Sequence, residues 1–88
     1  MHAVVVSVTV NDREAATDHL RNEIAPRVKE APGLVAAYWV RIGDGKGRSM
    51  GIFESEDAAQ AVADRIPEML TDAVALESVD VGEVVESI

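Results

Sequence analysis

Leu34-Val-Ala-Ala-Tyr-Trp-Val-Arg-Ile42, the loop Gly43-Asp-Gly-Lys-Gly47, and Arg48-Ser-Met-Gly-Ile-Phe-Glu54 decide how this chain folds. The two flanks are rich in β-branched and aromatic residues, which suit a pleated strand. The glycine-dense stretch between them suits a hairpin connection. Successive side chains on a strand point to opposite faces. If Ile42 pairs with Arg48, one face carries Tyr38, Val40, Ile42, Met50 and Ile52. The other carries Val35, Ala37, Trp39, Arg41, Ser49, Gly51 and Phe53, with Trp39 lying across Gly51. Neither face is polar. An antiparallel sheet with one side in water alternates apolar with polar residues, so both sides of this hairpin need cover.

Upstream, Ala3-Val-Val-Val-Ser-Val-Thr-Val10 predicts a first strand. Its even positions, Val4, Val6, Val8 and Val10, share a face. Asn11 with Glu14 three residues on has the form of a capping box. Ala16, Leu20, Ile24, Val28 and Ala31 then follow a helical period. Pro26 falls inside that helix, where a missing donor and a clashing ring predict a kink. Pro32-Gly33 ends it. Downstream of the hairpin, Ser55-Glu56-Asp57 predicts a second helix start, with a capping hydroxyl and two acids in the first turn. An apolar stripe through Ala59, Val62, Ala63 and Ile66 ends at Pro67, and Leu76 to Val85 predicts a fourth strand. The expected architecture is a single α+β domain over residues 1–88 with the ferredoxin-like β-α-β-β-α-β order. Two helices then cover one face of a four-stranded antiparallel sheet. The uncovered apolar face predicts a homodimer, because contiguous apolar patches of this size seldom stay exposed in a monomer.

Composition narrows the function. Sixteen acids against eight bases give a net charge of -8, which opposes a phosphate backbone and an anionic membrane surface alike. Nucleic acid and membranes are therefore not expected partners. Without cysteine there is neither a disulfide nor a thiolate metal site. His2 and His19, with scattered carboxylates, lack metal-ligand spacing, so no metal and no other cofactor is expected. No apolar run approaches the roughly 20 residues of a membrane span. The chain's start does not read as a signal peptide, so a cytoplasmic protein is expected.

The strand and helix order, the stretch Ala31-Pro-Gly-Leu-Val-Ala-Ala-Tyr-Trp-Val40 and the stretch Phe53-Glu-Ser-Glu-Asp-Ala-Ala59 together resemble the dimeric α/β-barrel superfamily, in its antibiotic biosynthesis monooxygenase-like branch. The resemblance covers nearly the whole chain. It implies that two sheets close into a shared barrel and that ligands sit between sheet and helices in each subunit. It also implies a range of chemistries, so fold alone does not assign one. The haem-degrading relatives carry an asparagine, a tryptophan and a histidine at places that fall on about Val5, Phe53 and Ala63 here. All three types are missing, which disfavours haem degradation.

Trp39, Arg41 and Phe53, with Ser7 of the first strand, form the expected ligand pocket, an aromatic wall with a few polar groups. Each has a plain alternative: Trp39 and Phe53 as core mass, Arg41 reaching solvent, and Ser7 bonded to backbone. The expected dimer interface comprises Val4, Val6 and Val8 with Tyr38, Val40, Met50 and Ile52. His19 lies off the helical stripe and reads as solvated. No catalytic set is legible. Two functions remain: a cofactor-free, monooxygenase-like enzyme acting on a small aromatic or polyketide-like substrate, and a non-catalytic dimeric module that binds a small hydrophobic ligand.

Overall fold

The computed structural model describes all 88 residues. The chain begins with strand β1 (His2–Val10), followed by a long helix in three parts and a hairpin of β2 (Leu34–Ile42) and β3 (Lys46–Phe53). Helix α3 (Glu56–Met69) and strand β4 (Val74–Glu83) complete it. The sheet is fully antiparallel in the order β2-β3-β1-β4, as the β-α-β-β-α-β reading requires. No helix is long and apolar enough to cross a membrane.

The first helix starts one residue later than its capping box suggested. Asp12, not Asn11, is the N-cap, and its carboxylate accepts from the Ala15 N–H at 3.1 Å. Asn11 instead donates its side-chain amide to the Asp72 carbonyl at 3.3 Å. Segment α1 (Arg13–His19) passes into a π turn over Leu20–Ile24, then into α2 (Ala25–Lys29). The Ala25 N–H bonds the Leu20 carbonyl, five residues back. Pro26 accounts for the site of this change, since its ring cannot sit against the carbonyl four residues earlier. The widened turn sets the proline in the opening turn of α2, where no donor is needed. The expected kink thus takes the form of a π turn.

Pro67 behaves differently from expectation. Helix α3 runs through it to Met69, so the proline costs one backbone bond without ending the helix. The chain enters β2 through Gly33 at φ +81°, where an added Cβ would lie 3.0 Å from the Ala58 Cβ. Only glycine allows this close approach of the β2 entry to α3. Strand β4 begins two residues earlier than predicted, at Val74, and carries a bulge at Glu77 between the Ser7–Ser78 and Val8–Leu76 pairs.

The hairpin register slips by two residues from the predicted one. Ile42 pairs with Lys46, Val40 with Arg48, Trp39 with Ser49 and Ala37 with Gly51. A slip of two keeps every side chain on its face, but Trp39 no longer lies opposite Gly51. The space over Gly51 is filled by the Phe53 ring, whose Cε2 would be 3.1 Å from an added Cβ.

The core lies between the sheet and α3. It consists of Val4, Val6, Phe53, Ala59, Ala63 and Ile66, with Val79 and Val81 packed against it. Val4 and Val6 are 3% and 6% exposed. They and the half-buried Val8 therefore face the helices, and the expectation that these three valines form the dimer interface is corrected. The register places Val4, Gly51 and Ala37 on one line, with Val6, Ser49 and Trp39 on the next. The even face of β1 is thus the Trp39 face, opposite to that of Tyr38.

Candidate functional site

The helices cover the sheet unevenly. Helix α3 packs over β1 and Phe53, while α1 and the π turn stand above the far ends of β1, β3 and β2. A cleft of about 190 Å³ remains between them. Its floor is Val6, Val8, Val10 and Trp39, and its roof is Ala16, Leu20 and Ile24 with Ile66, Met69 and Leu70. A smaller void of about 30 Å³ continues inward past Trp39 to Val4, Val28 and Phe53. Trp39 forms part of both walls and is 39% exposed. The π turn contributes Leu20 and Ile24 to the roof. π turns are frequent at functional sites because they redirect side chains that a regular helix would stack elsewhere.

Polar groups on this wall are few. Arg41 extends from edge strand β2 to α1, where its guanidinium donates to the Thr17 hydroxyl at 3.3 Å. Thr17 in turn donates to the Arg13 carbonyl at 2.9 Å. The His19 Nε2 lies 2.6 Å from the Met69 carbonyl. A carbonyl only accepts, so Nε2 carries a proton, and in the neutral ring Nδ1 keeps its lone pair. This bond ties α1 to the end of α3 across the cleft and fixes the plane of the imidazole. His19 is half-buried and lines the cleft, in contrast to its reading as a solvated side chain.

Trp39 and Arg41 both line the larger cleft. Phe53 does not reach it. It is fully buried and borders only the inner void. Ser7 is on the wrong face: it pairs with Arg48 and Ser78 on the side away from the helices, so its place in the pocket is withdrawn. His19, Thr17 and Arg13 were not singled out for the cleft. They sit at the flank of the Ala16–Leu20–Ile24 stripe, and only the tilt of the helix over an open sheet corner turns that flank inward.

The other face of the sheet is bare. Tyr38, Val40 and Met50 are 63%, 54% and 46% exposed, and Val5 and Ile52 lie beside them by register. At one end, this apolar strip gives way to a polar cluster. Lys46 reaches Glu77 at 2.6 Å, Thr9 donates to Glu77 at 2.7 Å, and Arg48 stands 3.8 Å from Glu77. The Lys46 and Thr9 hydrogen bonds hold the Glu77 carboxyl below its ordinary pKa of 4.5.

No protein-family model matches the chain, and no curated protein matches it in sequence. Solved structures do match in shape. SnoaB, a cofactor-independent oxygenase from Streptomyces nogalater, superposes with a TM-score of 0.77 at 15% identity, over 99% of this chain and 95% of that one. The two chains share the ferredoxin-like α+β fold. A dimeric ferredoxin-like protein from an uncultured marine organism gives 0.63 at 10% identity, over 100% and 98% of the two chains. The Streptomyces coelicolor monooxygenase ActVA-Orf6, solved with nanaomycin D, gives 0.64 at 14%, over 99% and 89%. At such identities the likeness establishes the fold of the chain, and the chemistry must be argued from the cleft.

Proposed function

We propose that this protein is a homodimer in which each subunit holds a small aromatic or polyketide-like molecule against Trp39, and that it oxygenates that molecule without a bound cofactor. One observation carries the reading: an apolar cleft with an indole wall is bordered by a single histidine, His19, and by Arg41 beside the indole. The likeness to SnoaB and ActVA-Orf6 supports it. The volume of about 190 Å³ sets a size. It exceeds the roughly 150 Å³ that accommodates benzene and falls short of the ~300 Å³ at which drug-sized pockets begin. One ring system fits within, and the rest of a larger molecule projects from the mouth.

The residues present can promote such a reaction by making the substrate easier to oxidise. The Nδ1 lone pair of His19 accepts a proton from an electron-rich phenol or dienol. Arg41 stabilises the oxygen that becomes anionic. The resulting anion gives up an electron to dioxygen more readily than the neutral molecule does. In net terms a ring methylene and O₂ yield a carbonyl and water, so no external reductant is needed.

The bare face supports the dimer. Tyr38, Val40 and Met50 form a patch that a second copy would cover sheet against sheet, and a structural neighbour is itself described as dimeric. A second reading, the ligand-binding module, is favoured by a different observation: no aspartate or glutamate lines the cleft, so His19 is its one proton acceptor. An oxygen electrode separates the two. Protein incubated with a panel of hydroxylated naphthalenes and anthrones should consume O₂ with saturation kinetics, and His19→Gln should abolish this. Saturable binding with no oxygen uptake for any member assigns the module reading.

A further inference from the structure

The distribution of charge around the cleft is opposite to that of the chain. The protein has sixteen acids and eight bases, yet four of the eight bases (Arg13, Arg41, Lys46 and Arg48) border the cleft and none of the acids does. The side chains of Lys46 and Arg48 lie on the bare face of the sheet, where both turn to the one carboxylate of Glu77, so the cations left to the cleft are Arg13 and Arg41. Arg41 and Arg13 make no ion pair. Arg41 has only the Thr17 hydroxyl as partner, Thr17 bonds the Arg13 backbone carbonyl, and both arginines border the cleft. Of the two carboxylates adjacent to Arg13 in sequence, Asp12 is committed to capping the Ala15 N–H, and Glu14 forms no ion pair and does not line the cleft.

Two cations on one rim without an acidic partner repel each other to a degree set by their separation, and a natural sequence with this many acids could have paired them. At physiological salt the Debye length is about 8 Å, so carboxylates farther than that from the mouth are largely screened. The mouth is therefore locally cationic on an anionic protein. Arginine's planar fork also suits a carboxylate better than a point charge would.

Building on the cleft reading above, we propose that the ligand is an anionic amphipath: an aromatic ring that enters against Trp39, carrying a carboxylate held at the mouth by Arg41 and Arg13. The apolar floor recognises the ring. The two free guanidinium groups recognise the charge and set which end of the molecule enters first. Neutral aromatics of the same size enter the cleft but lack the anchor.

The test compares 2-naphthoate with 2-naphthamide, which share ring and shape and differ in charge. Binding is measured by calorimetry at low salt, and the single indole N–H signal, that of Trp39, reports location by NMR. The carboxylate should bind at least about tenfold tighter, as hydrogen bonds to a charged group warrant. The preference should shrink at high salt, fall in Arg41→Gln, and vanish in the Arg13→Gln/Arg41→Gln double variant. Arg65→Gln, on the exposed side of α3, should leave it unchanged. Equal affinities, with the Trp39 signal moving for both compounds, overturn the anion preference and leave the cleft reading intact. A preference that survives in the double variant also overturns it. Failure of both compounds to bind at millimolar concentration, or binding without any response at Trp39, overturns both readings together.

Discussion

Val6 and Met50 lie on opposite faces of one sheet, and the first is 6% exposed while the second is 46% exposed. Both are apolar residues on rows of alternating side chains. The difference arises on β3. Its helix-side row is Gly47, Ser49 and Gly51, ending in the buried Phe53, and its bare-side row is Lys46, Arg48, Met50 and Ile52. Small residues let large neighbours sink into the sheet. An added Cβ at Gly47 would meet the Val8 Cγ2 at 2.9 Å, and one at Gly51 would meet the Phe53 ring. Helices can settle onto a row of that kind. A row of long side chains holds any cover at a distance and suits a flat partner such as a second sheet. Residue size and polarity together sort the two faces.

Substitution on each face can break this comparison. Val6→Asp should have the largest effect, because it buries an unpaired carboxylate beneath α3 at a cost of several kcal/mol. Loss of cooperative denaturant unfolding is the expected result. A folded but dissociated Val6→Asp protein would instead place Val6 at an interface. Met50→Asp should keep the subunit fold, seen by circular dichroism, and separate the dimer. Light scattering should fall from about twice the 9.4 kDa chain mass to one chain mass. Trp39→Phe should leave both fold and dimer intact and weaken aromatic binding by about 1 kcal/mol if stacking contributes, read by calorimetry.

The smallest effect concerns the polar end of the bare face. Lys46 and Thr9 hydrogen bonds lower the Glu77 pKa. A carboxyl whose folded pKa lies below its unfolded one contributes stability above the unfolded value, and that contribution is lost as pH falls through the folded value. The window is therefore acidic, beneath about pH 4.5. The stability change should be slight, since exposed ion pairs contribute little. A carboxyl-carbon NMR titration should show the Glu77 midpoint below 4.5, and Lys46→Met should move it upward.

The element order and the two-faced sheet were legible because period-2 alternation in Ala3–Val10 and Leu34–Ile42 survives any register shift by two. The register itself was not. The loop Gly43-Asp-Gly-Lys-Gly47 permits several closures, and the structure takes a tight one with Gly43 at φ +62°. The side of Val4, Val6 and Val8 was misread for a related reason: alternation tells which residues share a face and says nothing of how β1 and the hairpin align. Once Val6 is seen opposite Ser49, the assignment follows. Ser7 left the pocket by the same correction. Arg41 and Trp39 were legible as a cleft pair because they lie two apart on one strand. His19 was not, because its role depends on a carbonyl fifty residues away, at the end of α3.

The central claim is that one face of the sheet receives a ligand, leaving the other to receive a second copy of the chain. Trp39 emission tests it most directly, because the chain holds a single tryptophan and it lies on the helix-covered face. A hydroxylated naphthalene titrated into the dimer should quench or shift that emission, and the change should saturate together with the calorimetric heat at one molecule per chain. Heat of binding with flat Trp39 emission would place the ligand elsewhere and contradict the division of the two faces.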